Sequence, residues 1–145
     1  MARLRSDLDV LAMVDAGFPA PNIIELAMHV AEGRKAYAAS NFAEAIRHYE
    51  AAQAIEATVP YNEPPYWYYP VAQSLGAAYY RAGMYREALS AFRAAIFKAP
   101  NNGWALYGLA KTERKLGNRR EAAAAEAALE NVWIGKTAWL RMDRL

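Results

Sequence analysis

The chain has no cysteine, which excludes disulfides, thiol nucleophiles and zinc or iron–sulfur sites held by thiolates. Histidine is nearly absent. His29 and His48 fall on different predicted helices without HExxH-type spacing, so they read as surface or packing residues rather than metal ligands. No glycine-rich phosphate loop, GxSxG elbow or dinucleotide fingerprint occurs. Glu32, Glu44, Glu87 and Glu121 are well separated, and the last three recur at one position of an internal repeat. That repetition explains them better than paired-carboxylate catalysis does. We therefore assign no catalytic residue, metal site or cofactor and expect no enzyme. No apolar run approaches the ~20 residues of a membrane span. Asp7, Asp9 and Asp15 interrupt the N-terminal stretch, so neither a signal peptide nor a membrane segment is expected, and the cytoplasm is the default compartment for the chain as given. The net charge of +2 is too small to point to nucleic acid.

What remains is an alanine-rich chain of 145 residues, 55% hydrophobic and 22% charged, suited to closely packed helices in one domain. Ser6 with Asp9 reads as a capping box, and Gly17 as the end of the short helix that follows. Asn22 with Glu25, after FPAP, reads as a second helix start. Breaks follow at Ser40–Asn41, Gly83 and Gly117, and no alternating strand pattern intervenes. Three blocks align: GRKAYAASNFAEAIRHYEAA, GAAYYRAGMYREALSAFRAA and AKTERKLGNRREAAAAEAAL. Each opens on a small residue (Gly33, Gly76, Ala110) and has alanine twelve positions later (Ala45, Ala88, Ala122). Two helices joined by a tight turn can cross closely where both are small. Phe42, Tyr85, Tyr49 and Phe92 then fill the space the small residues leave.

This pattern resembles the tetratricopeptide repeat, a helix–turn–helix unit. The middle block matches best, through Leu75–Gly76, Tyr79, Gly83, Tyr85, Ala88, Phe92, Ala95 and Pro100. The third block departs at Arg119, Glu126 and Leu129, as a terminal repeat facing solvent would. The resemblance implies an all-α, right-handed solenoid of three hairpins, with repeats at about 26–59, 69–102 and 103–136. An extra N-terminal helix at about 7–16 would cover one end, and a tail at about 132–145, carrying Trp133, Ile134, Trp139 and Leu140, would cap the other. Ala88 to Ala122 spans 34 residues but Ala45 to Ala88 spans 43, which places an insertion at about 59–67. The run EPPYWYYP followed by QSLGAAYYRAG and NNGWALYGLA is also similar to the C-terminal repeat segment of larger bacterial proteins.

The family's groove positions, carried over residue by residue, fall on Ala27, Val30, Arg34, Tyr37 and Ala38 in the first repeat. In the second they are Pro70, Gln73, Ala77, Tyr80 and Arg81, and in the third Trp104, Tyr107, Lys111, Arg114 and Lys115. This set is aromatic and basic. It implies a protein or peptide partner, with an acidic or aromatic segment favoured and nucleic acid disfavoured. The lysine and asparagine that one subtype uses to grip a terminal carboxylate are replaced by Val30, Arg34, Ser74 and Gly108. Two plainer readings stand beside this one: the tyrosines pack between repeats, or the chain is a module for homo-oligomerisation or for packing against other domains. The basic run KTERKLGNRR reads as a solvated helix end and turn. EPPYWYYP reads first as a structural corner, with Pro70 at a helix start, while Tyr66, Trp67 and Tyr69 are candidates for the groove rim.

Overall fold

The structure is a computed structural model that describes residues 7–145. Among these residues there are seven α-helices and no strand: α1 (Leu8–Asp15), α2 (Ala20–Ala38), α3 (Phe42–Glu56), α4 (Val71–Arg81), α5 (Tyr85–Lys98), α6 (Gly103–Lys115) and α7 (Arg119–Val132). Short 3₁₀ turns follow at Thr137–Trp139 and Met142–Arg144. The pairs α2/α3, α4/α5 and α6/α7 are hairpins, and α3 packs on α4 and α5 on α6, so the hairpins stack in chain order. The chain is thus the all-helical solenoid that the repeat pattern implies.

The hairpin turns are built alike. Ser40, Gly83 and Gly117 take positive φ, where the chain must reverse after each first helix. Asn41 then caps α3 by accepting from the Glu44 N–H at 3.3 Å, and Asn102 caps α6 by accepting from that of Ala105 at 3.1 Å.

Two starts differ from the sequence expectation. Asn22 does not open a helix: α2 begins at Ala20 behind Pro19, with Pro21 in its first turn, where a missing N–H costs no hydrogen bond. The Asn22 amide is used laterally instead, donating to Thr58 Oγ1 at 3.1 Å at the far end of α3. Ser6 lies outside the described residues, and Asp7 is the residue that caps α1, accepting from the Asp9 N–H at 3.0 Å. Gly17 ends α1 at φ +84° as expected. Helix α1 packs on α2 but buries no residue of its own: Leu8, Leu11, Met13 and Val14 stay exposed.

The core is a seam of small residues with a few large ones keyed into it. Gly33 faces the Tyr49 ring and Gly76 faces the Phe92 ring, so that a Cβ at either glycine would lie within 3 Å of the aromatic. Gly108 of the next hairpin also lies against the Phe92 ring. Helix α4 is the centre of the stack, buried continuously from Val71 to Ala78. In the third hairpin the aromatic is absent. Glu126 takes its repeat position and pairs across the hairpin with Arg114 at 2.6 Å, which suits a face that no further repeat covers.

Candidate functional site

The first helices of the hairpins, α2, α4 and α6, carry the expected groove residues. The structure draws part of that set together around a polar cleft of about 440 Å³, lined by Arg34, Tyr37 and Ala38 of α2, Arg81 of α4, Ser40 and Tyr49, and by Asp143, Arg144 and Leu145 beyond the repeats. The Arg81 guanidinium lies 4.9 Å from the Phe42 ring centroid and 5.8 Å from that of Tyr37. Among the described residues neither Arg34 nor Arg81 forms an ion pair with a carboxylate. Phe42 was not among the sequence-predicted groove residues. It belongs to the second helix of its hairpin, and only the fold shows that it reaches Arg81.

Other candidates have different employment. Gln73 is buried and accepts from Asn102 Nδ2 at 2.8 Å, which ties α4 to the start of α6. Trp104 packs edge-on against Trp133 at 5.0 Å. Tyr80 stacks edge-on with Tyr85 at 5.4 Å, and Tyr80 and Tyr107 both pack against the central apolar cluster. Lys111 sits 5.5 Å over the Tyr107 ring. Arg114 is committed to Glu126, so its charge is neutralised within its own hairpin. Of the cations at the expected positions, Arg34 and Arg81 thus line the cleft, while Lys111 lies over Tyr107 and Arg114 pairs with Glu126.

The tail supplies what the sequence did not reveal. Trp133 covers the start of α6, its ring filling the space over Gly103. Ile134 then points fully into solvent, and the chain turns back across the concave face. The turn at Met142–Arg144 packs on α4. The Tyr37 hydroxyl donates to the Met142 carbonyl at 2.7 Å. Leu145 is buried in the cluster that contains Ala72, Ala77 and Phe92, and Met142 packs against the same cluster. Burial raises the Tyr37 phenol to about 12, with Arg81 acting against the shift, so at neutral pH Tyr37 is a hydrogen-bond donor. Asp143 lines the cleft beside Arg81 and is itself held low by Arg141, its partner at 3.0 Å.

The insertion forms a second feature. Tyr66 meets Phe18 edge-on at 4.9 Å, and Trp67 stacks with Tyr68 and Tyr69. The rings of Tyr66, Trp67, Tyr68 and Tyr69, with Pro60, Pro65 and Lys98, line a mostly apolar cavity of about 360 Å³. Among the described residues the buried Trp67 Nε1 has no hydrogen-bond partner. Tyr69 alone bridges to the groove: its ring lies under Arg34 at 5.8 Å, and its hydroxyl is 3.2 Å from Ser74 Oγ. Of the three rim candidates, Tyr69 is thus the one in contact with a groove cation.

Three titratable residues outside the expected site, Glu113, His29 and His48, also have defined partners. Glu113, in the middle of KTERKLGNRR, is fully buried and accepts from Arg93 at 2.9 Å and from Asn118 Nδ2 at 2.7 Å. The reading of that run as wholly solvated is corrected here: its glutamate pins α5 to α6 and to the turn after it. His29 and His48, on neighbouring helices, meet with Nδ1 atoms 3.0 Å apart, and Glu44 lies 3.2 Å from the other nitrogen of His48. This is a packing contact between α2 and α3. Among the described residues no group of three or more acidic, histidine or cysteine side chains gathers as a metal site. No single helix among them is long and apolar enough to cross a membrane.

Comparison with known families agrees with this architecture. A tetratricopeptide repeat model matches residues 70–112, which cover α4, α5 and most of α6. No curated protein matches the chain.

Proposed function

We propose that this chain, a tetratricopeptide repeat protein, is a binding scaffold whose concave face takes up a short peptide segment of a partner protein with acidic and apolar side chains. Repeats of this family generally mediate protein–protein interaction, typically without catalysis. The finer reading rests on one observation. Arg34 and Arg81, from two successive first helices, line one cleft together with Tyr37, and among the described residues neither has a carboxylate partner. Guanidinium groups seated on aromatic faces keep their charge, and their forked donors match a carboxylate. The adjoining apolar floor, formed by Ala77 and the ring faces of Tyr80 and Tyr107, suits an aliphatic or aromatic anchor.

The test is a peptide array that varies charge at fixed apolar content, followed by titration in solution. Binding should favour acidic peptides, weaken with salt, and fall about tenfold or more in the Arg34→Ala/Arg81→Ala double variant. Equal binding of acidic and basic peptides, or unchanged affinity in the variant, would overturn the assignment.

A further inference from the structure

We infer that residues 141–145 are an intramolecular occupant of the groove, so that the site alternates between a self-occupied state and a partner-bound one. The inference rests on the peptide-groove reading above and adds its regulation and the register of its ligand.

Three observations carry it. First, the tail crosses the concave face from the third hairpin back to the first, where the Tyr37 hydroxyl donates to a main-chain carbonyl, that of Met142, at 2.7 Å. A side-chain donor aimed at ligand backbone is independent of ligand sequence, so any peptide in the same path can receive it. Second, the segment is a 3₁₀ turn, in which residues three apart eclipse. That puts Met142 and Leu145 on one side, and both pack on the cluster with Ala77 and Phe92. The fold thus spends two apolar side chains on a surface that would otherwise be the open floor of the groove. Third, Asp143 is the acidic residue that lines the cleft beside Arg34 and Arg81. Its ion pair is with Arg141 of the tail itself rather than with either groove arginine. Among the described residues Arg34 and Arg81 are therefore still without a carboxylate partner while the tail is seated, and a partner segment that neutralises them has an advantage the tail lacks. The register read from the tail is two apolar residues three apart, Met142 and Leu145, with an acidic residue following the first and Arg144 preceding the second.

A tethered segment faces its site at an effective concentration of the order of millimolar. A tail that fills the site nine-tenths of the time weakens apparent partner affinity about tenfold, since affinity scales with the vacant fraction. The experiment uses the full chain and a fluorescent peptide of residues 137–145, blocked at both ends. In the Met142→Ser/Leu145→Ser variant the tail loses both anchors, and the probe should bind about tenfold more tightly than to wild type. Acidic peptides from the array should gain by the same factor. Equal probe affinity for the two chains would overturn the inference. So would a probe that binds neither chain while acidic peptides bind wild type, a result that leaves the groove assignment standing. Failure of every peptide on both chains would sink both. Because the chain has no cysteine, a nitroxide on Asp143→Cys provides a second measurement that leaves both anchors in place. It should broaden the resonances of Arg34, Tyr37 and Arg81, and broadening confined to the tail would refute self-occupancy even if the serine variant fails to fold.

Discussion

Replacing Gly108 with alanine tests the packing logic of the stack most directly. In an exposed helix interior this change is favourable by up to about 1 kcal/mol, because glycine has the greater backbone entropy to lose. Here a Cβ would lie 2.2 Å from Phe92 Cε1 and 2.3 Å from Cζ. Carbon atoms need about 3.5–4.0 Å, so the ring must retreat by more than 1 Å. Its retreat is limited, because the same Cε1 atom already lies where a Gly76 Cβ would come within 2.8 Å. Overpacking of a closed core typically costs ~1–3 kcal/mol, and a ring packed against two glycines belongs at the upper end. Net of the propensity gain, Gly108→Ala should destabilise the chain by about 2 kcal/mol, a fall in Tm of roughly 4–8 °C for a domain of this size. Urea and thermal unfolding followed by circular dichroism would measure it. Phe92→Leu should relieve the clash, so the double variant should be more stable than the summed single effects by about 1 kcal/mol or more. A Gly108→Ala protein as stable as wild type, or strict additivity with Phe92→Leu, would refute the picture of a ring keyed against two glycines.

Other expectations follow from the same geometry. The raised Tyr37 phenol means that the folded state favours its neutral form, so its contribution to stability is complete below pH ~10, the ordinary tyrosine range, and is lost as pH rises through about 12. Difference titration of wild type against Tyr37→Phe should find that phenol near 12, and freeing the tail with Met142→Ser/Leu145→Ser should move it toward 10.0. Glu113→Ala should lower stability by about 2 kcal/mol, less than breaking a fully buried pair, because its partner Arg93 is more than half exposed and recovers water; an unchanged urea midpoint would contradict the inter-hairpin role. Trp133→Ala should cost about 2 kcal/mol by uncovering Gly103 and Trp104, and intrinsic fluorescence should show Trp104 becoming wetter. A double-mutant cycle on Arg114 and Glu126 should give little or no coupling, since both side chains reach solvent and water screens the pair; a large coupling would contradict this.

What could be read in advance depended on whether a feature was local and periodic. The hairpins were legible because Gly33, Gly76 and Ala110 recur in phase with Ala45, Ala88 and Ala122, and positive-φ turns recur at Ser40, Gly83 and Gly117. Even the assignment of Tyr49 and Phe92 as fillers followed from that phase. Features that break the period were misread where a side chain acts at long range. Asn22 has the chemistry of a cap, but Thr58 competes for its amide at the distant end of α3. Glu113 sits among lysines and arginines that do face water, and only the stacking of α5 on α6 turns it inward toward Arg93.

The tail is the extreme case. Tyr37 and Met142 are joined across 105 positions, and neither belongs to a repeat shared by the other. A repeat architecture leaves its concave face formally vacant, because each unit contributes the same first-helix positions and none of them contributes a ligand. Whatever fills that face must come from outside the period, either from another chain or from an irregular end of this one. Apolar residues in an irregular end are therefore ambiguous by nature. Trp133 covers the last hairpin, as end-capping logic requires, while Met142 and Leu145 travel past it into the groove. The distinction turns on reach. Trp133 is held at the end of α7, directly over Gly103. The nine residues from 134 to 142 are long enough to return to α2, because even at the ~2 Å rise per residue of a 3₁₀ helix they span close to two interhelical distances of about 8–10 Å. Cap and occupant are thus successive stations of one segment, and the same apolar chemistry serves stability at the first and occupancy of the groove at the second.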